Sequence, residues 1–124
     1  MIVKPNDVLS KIETERNGTQ NISCIFFLNE QKEILSIHRQ IFFETAQLKV
    51  SDIFIPAFYL SAKNIVLVYI KNKEKTVLPT LYEINFTKKI MTAGKFLNVQ
   101  LLDHLIVTKN EYYSFHKSKV ISPF

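Results

Sequence analysis

The sequence predicts a single α/β domain, a mixed sheet of about five to six strands with flanking helices. Three observations lead there. Ile65-Val66-Leu67-Val68-Tyr69-Ile70 is a short apolar run rich in β-branched residues, suited to a buried strand. After Pro79 the apolar spacing changes to three and four, which predicts a helix from Thr80 to about Phe96, Gly94 notwithstanding. Thr80 is its expected N-cap, and Glu83 stands at the capping-box spacing. A second apolar run, Val99 to Val107, predicts another strand, so the stretch reads as strand, crossover helix, strand.

The other elements follow in chain order. Asp7 to about Thr14 carries Val8, Leu9 and Ile12 and is expected to form a short helix, with Arg16 to Gln20 a polar loop. Ile22 to Leu28 is nearly all apolar and reads as a central strand. Asn29 to Glu33 is a charged hairpin connection, and Ile34 to Phe42 returns antiparallel. Residues 44 to 49 lead to Val50–Ala62, where Ser51 is the expected cap and Pro56 calls for a kink or a late start. Lys109-Asn110 is a turn before a last strand, Tyr112 to Phe115. On the long helix Tyr82, Phe86, Ile90, Ala93 and Leu97 form one row, and Leu81, Ile84 and Met91 form a second. A sheet covers only one row. The second is therefore the expected contact of a homodimer or another protein partner, unless the segment around Ile53 to Leu60 or the chain ends close over it.

Residues 1–124 are expected to form one domain with no linker or repeat. No run approaches the roughly 18 apolar residues of a membrane span, and Lys4, Pro5 and Asp7 do not suit a signal peptide. A cytoplasmic protein without membrane contact is the expectation. The lone Cys24 excludes an internal disulfide framework and, in an apolar run, reads as core. The net charge of +5 comes almost wholly from lysine, Arg16 and Arg39 being the exceptions. Lysine gives weak nonspecific phosphate contact more readily than base recognition. Lys71, Lys73 and Lys75 would be the first such contacts to nucleic acid.

Motifs for metalloprotease, thiol-redox, phosphate-loop and serine-hydrolase chemistry are absent. His38, His104 and His116 have no metal-like spacing. His104 follows Asp103 inside a strand run, where neighbours point to opposite faces, so the two make no ready acid/base dyad. A structural histidine is the plainer reading.

One stretch carries a resemblance. Gly94-Lys95-Phe96-Leu97-Asn98-Val99-Gln100-Leu101-Leu102-Asp103-His104-Leu105-Ile106-Val107, followed by the hairpin Lys109-Asn110-Glu111 and by Tyr112-Tyr113-Ser114-Phe115, closely resembles the end of the RadC-like JAB/MPN domain. Pro5-Asn6-Asp7-Val8 looks like the opening helix of that family. Phe27-Leu28-Asn29 with Ile34-Leu35-Ser36 looks like its first hairpin. The resemblance covers residues 4 to 117 and is strongest after Thr87. It implies a cytidine-deaminase-like α/β architecture.

The resemblance also implies where a JAMM-type zinc site would sit. That site takes a His-x-His pair, then seven intervening residues, then Ser-x-x-Asp, with an upstream Glu as general base. Counted back without gaps from Pro79, the histidine positions fall on Ile70 and Asn72, the serine on Thr80 and the aspartate on Glu83. Matching Phe42-Phe43-Glu44-Thr45 to the family's Phe-x-Gly-Thr puts the glutamate on Arg39, or on His38 if the register slips by one. The family's Pro-Ser-Gly-Asp loop is replaced by Lys73-Glu74-Lys75-Thr76. Isoleucine has no lone pair, asparagine is a poor zinc ligand, and Arg39 stays protonated at any useful pH. Thr80 and Glu83 are explained by capping alone. The expectation is a scaffold without metal, cofactor or catalysis, acting as a binding or assembly module. The alternatives are a nucleic-acid-associated protein linked to DNA repair or mobile elements, and a hydrolase with relocated ligands such as His38, His104 or Glu83.

Overall fold

Ile22–Leu28 forms β1 and pairs along both edges, antiparallel to β2 (Ile34–Ile41) and to β3 (Asn64–Ile70). A computed structural model describes residues 1, 2, 4 to 42 and 48 to 120. β3 pairs in parallel with β4 (Gln100–Val107), and β4 is antiparallel to β5 (Tyr112–Ser114). The result is a mixed five-stranded sheet in the order β2-β1-β3-β4-β5. The parallel pair needs a crossover, and α4 (Leu81–Leu97) supplies it.

Alternation along the strands divides the core between two faces. Ile25 and Phe27 of β1, with Ile65 and Leu67 of β3, pack under α4 and α3 (Val50–Leu60). Cys24, Phe26, Val66, Val68 and Ile70 face the opposite way, toward α1 (Pro5–Leu9) and Ile12. That second face has thin cover: α1 is 5 residues long, and α2 (Glu13–Arg16) is 4 and contributes no buried residue. Burial pushes the Cys24 thiol up to about 12, with Glu15 adding to the effect, so it is inert core.

β4 breaks the alternation once. Ile65 pairs with Leu101 but Val66 pairs with Asp103, leaving Leu102 as an extra, bulged residue. Everything after it is re-phased: His104 and Ile106 join the α4 side, while Leu105 and Val107 join the α1 side.

The helices correct several expectations. The segment from Asp7 to Thr14 is not one helix. α1 starts at Pro5, where the missing N–H costs nothing, and α2 starts only at Glu13. Ser51 does not cap α3: Lys49 is the N-cap, and Asp52 accepts its backbone N–H at 2.8 Å. Pro56 lies inside α3, one turn from Asp52. The buried stripe of α4 is Glu83, Phe86, Thr87, Ile90 and Gly94. Phe86 and Ile90 of the first expected row thus lie in the stripe, whereas its ends, Tyr82 and Leu97, are exposed, and the second row flanks the stripe. The connecting residues 43 to 47, including Glu44-Thr45 of the resemblance, lie outside the described residues.

The N-terminus of α4 is capped as expected. Thr80 Oγ1 accepts from Glu83 N–H at 3.1 Å, and Glu83 Oε1 accepts from Thr80 N–H at 2.8 Å. Thr80→Ala is expected to lower stability by about 1 kcal/mol in urea denaturation, and Thr80→Ser to lower it far less. Equal losses for the two variants would show that the hydroxyl cap contributes nothing.

Candidate functional site

The sheet phase decides which side chains gather. Arg39, Ile70 and Asn72 belong to the α1/α2 side. Arg39 forms an ion pair with Glu15 of α2. Ile70 is fully buried in the core beneath α1. Asn72 Nδ2 donates to the carbonyls of Glu15 and Gln20 at 2.7 and 2.9 Å. Thr80 and Glu83 stand on α4, on the other side of the sheet. The five positions counted from the resemblance therefore do not form one site. Their neighbours share the face of α4 instead: His38 has its ring against Phe27, Tyr69 packs with the α4-side core, and Lys71 reaches Glu83. His38, Tyr69 and Lys71 each stand one residue before a counted position, and strand alternation puts them on this face.

What occupies that face is an ion pair. Lys71 Nζ lies 3.0 and 2.7 Å from the two oxygens of Glu83, and both residues are less than a tenth exposed, at 5% and 7%. Lys71 is held by the sheet: its N–H donates to the Val107 carbonyl at 2.7 Å, extending the pairing of β3 with β4. Glu83 is held by its capping role. Glu74 adds a weaker contact to Lys71 Nζ at 3.7 Å. Lys71 is thus no phosphate contact, while Lys73 and Lys75 are exposed.

Beside the pair lies His104, fully buried. Thr87 Oγ1 donates to the Glu83 carbonyl at 2.9 Å and meets His104 Nδ1 at 2.6 Å. A hydroxyl has one proton, so the imidazole carries its own on Nδ1 and donates it to Thr87. Nε2 is then a bare lone pair, buried and unpartnered among the described residues. The ring stacks on Phe115 and meets Tyr69 edge-on, centroids 4.5 Å away in each case. Burial, aided by the Lys71 ammonium, pulls the His104 pKa down to about 3. Burial and the nearby Glu83 charge push the Tyr69 phenol far above its ordinary range. Neither group is poised for proton transfer near neutrality.

Asp103 projects to the opposite face. Its carboxylate accepts from Ser114 Oγ at 2.6 Å and from the N–H groups of His104 and His116 at 2.8 and 3.0 Å. It ties the end of β5 to β4. Burial nevertheless raises its pKa, against the pull of those hydrogen bonds.

Tyr69, Lys71, Thr87 and His104 are the residues that counting from the resemblance missed as neighbours of Glu83. Strand phase was the available signal: in a run ending at Ile70, Tyr69 and Lys71 must share a face.

An α/β sheet with one parallel pair spanned by a capped helix, and a polar cluster where that helix starts beside the end of β3, defines the class of scaffold. A family model for the RadC-like JAB domain matches residues 2–120, and the chain belongs to that family. Among its relatives is a UPF0758 protein of Latilactobacillus sakei, 28% identical over 109 residues, covering 86% of this chain and 48% of the relative. A UPF0758 protein of Alkaliphilus metalliredigens is 28% identical over 126 residues, covering 97% and 53%. One of Flavobacterium johnsoniae reaches 54% identity over 37 residues, 30% of this chain and 16% of the relative. The chain spans about half the length of the longest-matching of these relatives.

The JAMM-type metal site of the family is not preserved among the described residues. Among the described residues no three His, Cys, Asp or Glu side chains are placed to hold a metal ion. The residues around Glu83 do not fit zinc either. The carboxylate is already neutralised by an ammonium at 2.7 Å, which would repel a divalent cation. Protein purified without chelator is expected to carry no stoichiometric zinc by elemental analysis. Zinc that binds wild type and is lost in Glu83→Gln would contradict this. No described helix is long and apolar enough to cross a membrane.

Proposed function

We propose that this chain is a catalytically inactive RadC-like domain that acts as a binding or assembly module, with a second copy of itself as its first partner. The observation that supports it is the outer surface of the helical layer. Ile55, Phe58 and Tyr59 on α3 are 56%, 80% and 80% exposed, at the i, i+3, i+4 spacing of a helix stripe. On α4, Leu81, Tyr82, Phe96 and Leu97 are exposed as well. Phe58 and Leu97 line one groove between the C-terminal ends of the two helices. Exposed apolar surface of this extent usually marks an interface. Of the row expected for it, Leu81 is exposed, whereas Ile84 and Met91 are partly buried against the core. The aromatic residues of α3 and the C-terminal end of α4 extend the contact beyond that row.

Sedimentation equilibrium at micromolar concentration tests self-association. A dimer is expected, and Phe58→Glu combined with Phe96→Glu is expected to return a monomer with unchanged circular dichroism. Both side chains are at least 80% exposed in the single chain, so the fold does not depend on them. A 14.5 kDa species at every concentration would remove the second copy as partner.

A further inference from the structure

The thinly covered face of the sheet leaves a cleft of about 320 Å³ between α1 and β4, apart from the polar cluster at Glu83. Its floor is apolar: Val8 of α1, Val66 of β3, and Leu102 and Leu105 of β4. The bulge at Leu102 matters here, because it places Leu102 and Asp103 on the same face and brings Leu105 to that face after them. Its rim is cationic. Lys4 enters from the start of α1, Lys32 from the β1–β2 turn, and Lys117 from the turn after β5. Three separated chain segments thus bring lysines to one opening, where Lys117 Nζ also donates to the Tyr112 hydroxyl at 2.6 Å and stands over its ring. Ile2 N–H donates to the Lys32 carbonyl at 2.9 Å, which fixes the N-terminal segment against that turn. The one carboxylate among the described lining residues, Asp103, is already engaged by Ser114, His104 and His116.

We propose that this cleft binds a small amphiphilic anion, an apolar chain ending in a carboxylate. The floor supplies burial for the chain, and the lysine rim supplies charge for the head. The volume, at the small end of ligand sites, holds about ten waters at their liquid volume and so suits a short acyl chain rather than a folded partner. An uncharged chain gains nothing from the rim, and a cationic one is repelled by it.

Titration of the full ¹⁵N-labelled chain with octanoate, followed by amide shifts, tests this directly, with octylammonium as the opposite-charge control. Shifts are expected at Val8, Lys32, Leu102 to Leu105 and Lys117, with octanoate binding at least about tenfold tighter than octylammonium at low salt. Lys4→Glu combined with Lys117→Glu, both at exposed positions, is expected to weaken octanoate about tenfold and to reverse the preference. Equal binding of the two probes would overturn the proposal. So would shifts confined to the groove at Phe58 and Leu97, or none at all up to millimolar octanoate.

Discussion

Lys71→Met will destabilise the domain by about 3 to 5 kcal/mol, the cost of leaving a buried carboxylate without its counter-ion. Methionine matches the length of the lysine stem, so packing changes little and the loss reports the charge. Glu83→Gln alone will cost less. The capping box accepts glutamine, so the helix start is kept, and Lys71 retains Glu74 at 3.7 Å. The informative variant is the double one. Lys71→Met with Glu83→Gln removes both charges and keeps the cap, and will recover most of the stability lost by Lys71→Met. Urea denaturation of the four proteins closes a double-mutant cycle. Additive losses would show that the two side chains do not interact, and the account of this face as an ion pair in place of a metal site would fall with them.

Acid will destabilise the domain through His104. Its folded pKa is about 3 against an ordinary 6.5, so between those values the unfolded chain binds a proton that the native chain refuses. The contribution of His104 is fully present above pH 6.5 and is lost as pH falls, by about 1.4 kcal/mol for each pH unit. Asp103 acts in the opposite sense, because its raised pKa makes the native state take up a proton before the unfolded one does. Its effect lies above its ordinary value of 3.8 and offsets part of the imidazole's, so a variant that lacks the imidazole is needed to separate the two. Urea midpoints between pH 7 and pH 5 should therefore decline in wild type. His104→Asn keeps an N–H for Thr87 and cannot ionise, so its curve should be flatter by one proton over that range. Parallel curves would mean that His104 titrates normally in the folded chain, and the buried neutral ring would be wrong.

The fold was legible where one local cause is enough. The run from Ile65 to Ile70 in β3 has no Ser, Thr, Asn or Asp to compete with the ladder, and Thr80 with Glu83 names a helix start by itself. The hairpin of β1 and β2 falls where Asn29 to Glu33 interrupts two apolar runs. The candidate site was less legible, because faces depend on phase and phase depends on pairing. Counting from Pro79 crosses an irregular loop, where one residue more exchanges Ile70 for Tyr69 and Asn72 for Lys71. The same holds for Lys71 itself. In the sequence it is one of three lysines in a charged loop, and only the packing of α4 against β3 shows that it is buried with Glu83. The split between α1 and α2 was hidden for a different reason. Val8, Leu9 and Ile12 are spaced for one helix, yet the tightening of the chain at Ser10 and Lys11 brings Val8 of α1 and Ile12 to the sheet without a continuous one.

The extra residue at Leu102 also bears on how this strand tolerates change over evolutionary time. A deletion in a regular strand transposes the inside and outside of everything on one side of it, which a core buried on both faces rarely survives. At Leu102 the transposition already exists and has been absorbed. Losing that residue would straighten β4 with Leu101 still opposite Ile65 and Asp103 still opposite Val66, and the segment from Asp103 to Val107 would stay locked by Thr87, Ser114 and Phe115. The strand is in effect two independently phased pieces joined at one seam, and length variants of this domain should accumulate there rather than elsewhere in β4.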